Sequence, residues 1–135
     1  MSKIKRIGAG ARMSKAVVHG DLIFTAGQVA DKSKAEGVSE QTAEILDLID
    51  AILAEAGSEK AKILSATVYL SDISTFSQMN AAWDAWLDKA NPPARATVEA
   101  KLVLPEFKVE IAVIAAIQLN PNPASSFETR PMGAP

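Results

Sequence analysis

The chain has 135 residues, 48% of them hydrophobic and 22% charged, with a formal net charge of −2 and no cysteine. That length suits one folding unit with a real core. The absence of thiols excludes disulfides and cysteine nucleophiles, and scattered Lys and Arg residues argue against a nucleic-acid or anionic-membrane surface, which concentrates them in one patch.

The first residues, Met1-Ser2-Lys3-Ile4-Lys5-Arg6, are basic, but no apolar run of signal-peptide length follows. No stretch is continuous enough to span a membrane. The expected setting is therefore the cytoplasm and the expected partner a small molecule. Gly8-Ala9-Gly10 lacks the third glycine and the following helix of a phosphate loop.

Val17-Val18 and Leu22-Ile23-Phe24 flank His19-Gly20-Asp21, which predicts a hairpin whose Gly supplies the unusual turn angle. The single histidine, His19, falls in that turn, so no metal site is expected. Asp31 to Gly37 reads as a polar loop. Ser39 is the expected N-cap of a helix with the stripe Ile45, Leu46, Ile49, Ile52 and Leu53, closed by Gly57.

Leu64, Ala66, Val68 and Leu70 alternate with Ser65, Thr67 and Tyr69, the period of a strand. A second helix, ending by Asn91, follows with Phe76, Met79, Trp83, Trp86 and Leu87 on one stripe; this spacing makes both Trp residues core rather than stacking platforms.

Pro92-Pro93 then fixes the start of a strand. From Ala94 the alternation puts Ala94, Ala96 and Val98 on one face and Arg95, Thr97 and Glu99 on the other. In the final strand, from Lys108 to about Leu119, Glu110 shares a face with Ala112 and Ile114. A guanidinium at a strand's mouth is a rigid fork suited to a small carboxylate. On pattern alone Arg95 equally suits an ion pair tying two strands, to Glu110 itself for one, while the bland alternative for Glu110 is a solvated place at the sheet rim. Two helices hide only one face of a sheet, yet this last strand is apolar on both sides, so a closed homo-oligomer is expected to cover the other. Residues 120–135, rich in Pro and small polar side chains, read as a flexible tail after a single domain over 1–119.

The blocks Pro92-Pro93-Ala94-Arg95-Ala96-Thr97-Val98-Glu99 and Val109-Glu110-Ile111, with Gly20-Asp21-Leu22-Ile23-Phe24-Thr25-Ala26-Gly27-Gln28 and Asn80 in order before them, resemble the Rid family (RidA/YjgF type) of reactive intermediate deaminases. The resemblance runs from about Ser14 to Ala116. It implies an α+β fold, a single mixed β-sheet with two helices packed on one face (chorismate-mutase-like), assembled as a homotrimer with sites between subunits. It also implies hydrolysis of 2-imino and 2-enamino acids such as 2-aminoacrylate to a 2-keto acid and ammonia, with no cofactor and no metal. Arg95 would hold the substrate carboxylate, Glu110 would position or activate water, the main chain near Thr97 would orient the imine, and Asn80 would support.

The chain departs from the better-known members at two places. Ala11-Arg12-Met13-Ser14 stands where they carry a Tyr, and Ala26 stands where they carry a Ser before Gly-Gln. Met13 and Ala26 thus mark an altered pocket, and Thr97 replaces the common cysteine. Two rival readings follow. One is a non-catalytic binder of 2-keto acids. The other is a ribonuclease or translation inhibitor, activities also ascribed to family members, which the lack of a clustered basic groove disfavours.

Overall fold

The computed structural model of the chain describes residues 3–117, so residues 120–135 lie outside the described residues. It begins with a strand the pattern above does not reveal. Ile4–Ile7 (β1) pairs antiparallel with Ala16–His19 (β2), yet only Ile7 of the four is buried, so no alternation betrays it. β2 turns through Gly20, at φ +64°, into Leu22–Thr25 (β3), with His19 opposite Leu22 as the expected hairpin requires.

Val38–Glu55 (α1) buries its whole expected stripe against the sheet. Each such Leu or Ile contributes about 1.5–3 kcal/mol by leaving water. The expected cap is corrected: Gly37 takes the N-cap position without a side-chain bond, and Ser39, already inside the first turn, donates to the Gln78 carbonyl at 3.2 Å. The far end closes as expected. Gly57, at φ +82°, lets its own N–H reach the Ala54 carbonyl at 3.1 Å and the Ser58 N–H reach that of Leu53 at 2.8 Å, satisfying two of the helix's last carbonyls.

Ile63–Leu70 (β4) carries a register shift between Ile63 and Ser65. That bulge turns Leu64 outward and gives its expected core place to Ile63, while Ala66, Val68 and Leu70 stay inward. Phe76–Trp86 (α2) stops well before Asn91, because Leu87 is already extended. The helix is the crossover that the parallel pairing of β4 with Ala94–Glu99 (β5) demands.

Val109–Ala116 (β6) completes one six-stranded mixed sheet of order β1-β2-β3-β6-β4-β5. Its start is held by Gln41, a fully buried amide that donates to the Glu106 carbonyl at 3.0 Å and accepts from the Lys108 N–H at 2.9 Å. Both helices cover one face. On the other, Phe24, Ser65, Thr67, Ala112 and Ile114 line a shallow depression of about 230 Å³, and Val98 is 43% exposed. This open apolar face is the one expected to need cover.

Candidate functional site

Arg95 follows Pro92-Pro93 and enters β5 opposite Ala66, which is buried beneath the helices. Residues paired across a ladder share a face, so Arg95 points toward α2. There the three-and-four spacing of Phe76, Met79 and Trp83 presents one stripe to it. The guanidinium carbon lies 5.0 Å from the Trp83 ring centroid and 5.8 Å from that of Phe76, and Nη1 is 3.9 Å from the Met79 sulfur. Burial lowers the arginine's pKa, and Asp84 nearby raises it back in part. Among the described residues no carboxylate stands at ion-pair distance from Arg95; the ion pair found is Lys34 with Asp31.

Thr97 is paired with the buried Val68 and so shares the Arg95 face. Its hydroxyl is buried without a hydrogen-bond partner among the described residues. Asn80, half-buried, sits one turn along α2 from Phe76 and one turn before Asp84, on the side that Arg95 faces.

Glu110 looks the other way. It pairs with Tyr69 on β4, and both belong to the open face of the sheet. β6 is a central strand, so the rim placement is corrected. The ion pair with Arg95 is corrected too: within one chain the two side chains lie on opposite faces with β4 between their strands.

A strap formed by Ala26, Gly27 and Gln28 crosses beside Glu110. The Gln28 N–H bonds the Ile111 carbonyl at 2.8 Å, and the Ile111 N–H returns to the Gln28 carbonyl at 3.1 Å. The half-buried Ala26 is fixed by its N–H to the Lys15 carbonyl at 2.9 Å. Between them, the space a Cβ at Gly27 would fill is occupied by the Glu110 carboxylate. Met13, 59% exposed, lines a cleft of about 460 Å³ on the strap's other side with Lys15, Gly27, Gln28 and Lys32.

The expected residues thus form two clusters, Arg95, Thr97 and Asn80 at the β5–α2 corner, and Glu110, Ala26 and Met13 around the Gly27 strap. Two members were not singled out from sequence. Gly27 stood in the quoted block without a role, and Trp83 read as core alone. His19 stays exposed in its turn. Among the described residues no three His, Asp or Glu side chains converge as a metal set, and no helix is long and apolar enough to cross a membrane.

Fold and site together define a small α+β sheet protein with one face under helices, one face open, and an arginine held ready at the sheet's edge. Comparison with known proteins gives the family. Residues 3–117 match the model of the Endoribonuclease L-PSP family. A RutC family protein of Haemophilus influenzae is 48% identical over 112 residues, spanning 83% of this chain and 97% of that one. The RutC family protein YoaB of Escherichia coli is 45% identical over 114 residues, spanning 84% and 98%. A crystal structure of a YjgF family member from Neisseria meningitidis superposes with a TM-score of 0.84 at 42% identity, over 87% of this chain and 98% of that one. The chain belongs to the Endoribonuclease L-PSP family, the group of the YjgF, Rid and RutC proteins.

Proposed function

We propose that the chain is a cytoplasmic hydrolytic deaminase of reactive 2-imino and 2-enamino acids, such as 2-aminoacrylate and 2-iminopropanoate, working as a homotrimer. The observation that carries this reading is the Arg95 guanidinium, held at a sheet edge by aromatic rings and a thioether with no carboxylate at ion-pair distance among the described residues. Such a fork takes a small carboxylate bidentately. Because Arg95 and Glu110 leave the sheet on opposite faces, a site using both takes one from each of two copies.

In that site Arg95 clamps the substrate carboxylate and so fixes the imine carbon, with Thr97 and Asn80 beside it. Orientation of this kind supplies much of the rate. 2-Aminoacrylate first takes a proton from water on its methylene carbon and gives one back to water from its nitrogen, the carbon–carbon double bond becoming the carbon–nitrogen double bond of the imine. Glu110 accepts a proton from water as the water oxygen bonds to the imine carbon and the nitrogen takes up a proton. Glu110 then returns its proton to the nitrogen, the carbon–nitrogen bond of the amino alcohol breaks as ammonia leaves, and the hydroxyl gives its proton to water to become the keto oxygen. One carboxylate cycling between base and acid serves both halves. Ala26 stands next to Gly27, against which the Glu110 carboxylate lies, and Met13 lines the adjoining cleft.

Ammonia release from 2-aminoacrylate generated in situ, above the uncatalysed rate, is the expected result. Retained binding of pyruvate without turnover would convert the reading to a metabolite-binding protein. The family's description names an endoribonuclease, so an RNA cleavage assay belongs beside it; RNA cleavage without ammonia release would overturn the deaminase.

A further inference from the structure

We propose that Trp83 is a positioning residue for Arg95, one whose indole face holds the guanidinium plane so that the free edge of the fork meets the substrate carboxylate. The proposal rests on the deaminase reading above and deepens it.

A buried helix position needs only apolar bulk, which Leu or Phe supplies equally. Trp83 is 4% exposed and meets that need, but its ring also forms the wall on which Arg95 lies, 5.0 Å from the guanidinium carbon. Among the described residues the hydrogen-bond partner of that guanidinium is the Met79 sulfur at 3.9 Å, a weak acceptor. The contacts left to set its orientation are the cation–π ones, to Trp83 at 5.0 Å and to Phe76 at 5.8 Å, and among aromatic rings indole attracts a cation best. An arginine left loose would have to surrender its rotamer freedom each time a substrate bound.

The wall is itself braced from behind. Trp83 leans on Trp86, with ring centroids 5.5 Å apart and planes at 54°. The Trp86 indole N–H donates to the Asp50 carboxylate on α1 at 3.0 Å, and the Lys60 ammonium lies 5.3 Å from the Trp86 ring. A relay of packed groups from α1 through two indoles thus ends on the guanidinium. Filling the core requires no such relay.

The test compares Trp83→Leu with Trp83→Phe, and with Leu53→Ala as a core variant on α1. Two quantities are read: the Kd for 2-oxobutanoate by calorimetry, and the ligand-free nuclear magnetic resonance signal of the Arg95 Nε–H, which the indole ring current displaces. Trp83→Leu is expected to raise Kd about tenfold or more and to move the Nε–H signal away from its wild-type position toward that of a free arginine. Trp83→Phe should keep most of both, and Leu53→Ala should lower Tm while leaving both unchanged. A Trp83→Leu protein with wild-type Kd and an undisplaced Nε–H signal in every variant would overturn the positioning role. If the wild-type chain binds no 2-keto acid, the deaminase reading falls. The Nε–H signal still decides the proposal, since an identical signal in Trp83→Leu and wild type overturns it and a shift specific to Trp83→Leu supports it.

Discussion

Arg95 and Glu110 face away from each other across a single sheet, Arg95 toward α2 and Glu110 toward the open side, with β4 between their strands. If both serve one reaction, they do so in different copies. Mixing two variants, each lacking one of the pair, is then expected to restore activity. Randomly reassembled trimers of Arg95→Ala and Glu110→Gln should recover about a quarter of wild-type ammonia release, because that fraction of interfaces unites the two intact halves. No recovery above the separate variants would place both groups in one chain's site.

The two residues should also separate by role. Arg95→Lys keeps the charge but loses the planar fork, so 2-keto acid binding should weaken about tenfold or more and turnover fall with it. Glu110→Gln should bind the acid nearly normally and lose hydrolysis, since the amide cannot accept a proton. Calorimetry and ammonia release on the same two proteins check both statements.

Gly27 is expected to tolerate no side chain while Glu110 keeps its place. Gly27→Ala should destabilise the fold by about 1–3 kcal/mol through overpacking and reduce turnover by displacing the carboxylate. Adding Glu110→Ala removes the obstacle, so the double variant should be more stable than Gly27→Ala alone in denaturant titration. Equal losses for both proteins would count against the contact.

The open face should hold the oligomer. Sedimentation equilibrium is expected to give the mass of three chains, and Ile114→Asp, which sets a charge on that face, should give monomers. A monomeric wild-type protein at micromolar concentration would remove the shared site along with the trimer.

Gly57→Ala should cost about 1 kcal/mol, seen as a lower Tm, because a positive φ there is strained for any residue with a Cβ. By contrast, truncation after Asn120 is expected to leave Tm within a few degrees, since the composition beyond it cannot build a core.

Much of this fold was legible because its elements repeat at their own periods. The stripe from Ile45 to Leu53 and the alternation from Arg95 to Glu99 announce a helix and a strand directly. β1 was hidden because an edge strand with one buried residue shows no period. Leu64 was misplaced because a bulge breaks alternation without changing composition. Of the site, Arg95 and Glu110 stood out as charges in apolar strands. That they face apart could not be read, since facing depends on which strands become neighbours. Gly27 and Trp83 matter only through contacts with residues far along the chain, and a glycine or a tryptophan looks the same in sequence whatever presses against it.

The place of β6 has a consequence for how the protein is made. It is the last strand described along the chain, yet it lies in the middle of the sheet, between β3 and β4. Until Ala116 has emerged, β3 and β4 both lack the strand that lies between them, so the sheet cannot close and any partly formed β1-β2-β3 or β4-β5 keeps a bare inner edge. Those edges are templates for pairing with other nascent chains. The interval between emergence of β5 and emergence of β6 is thus the period of greatest exposure to misassembly.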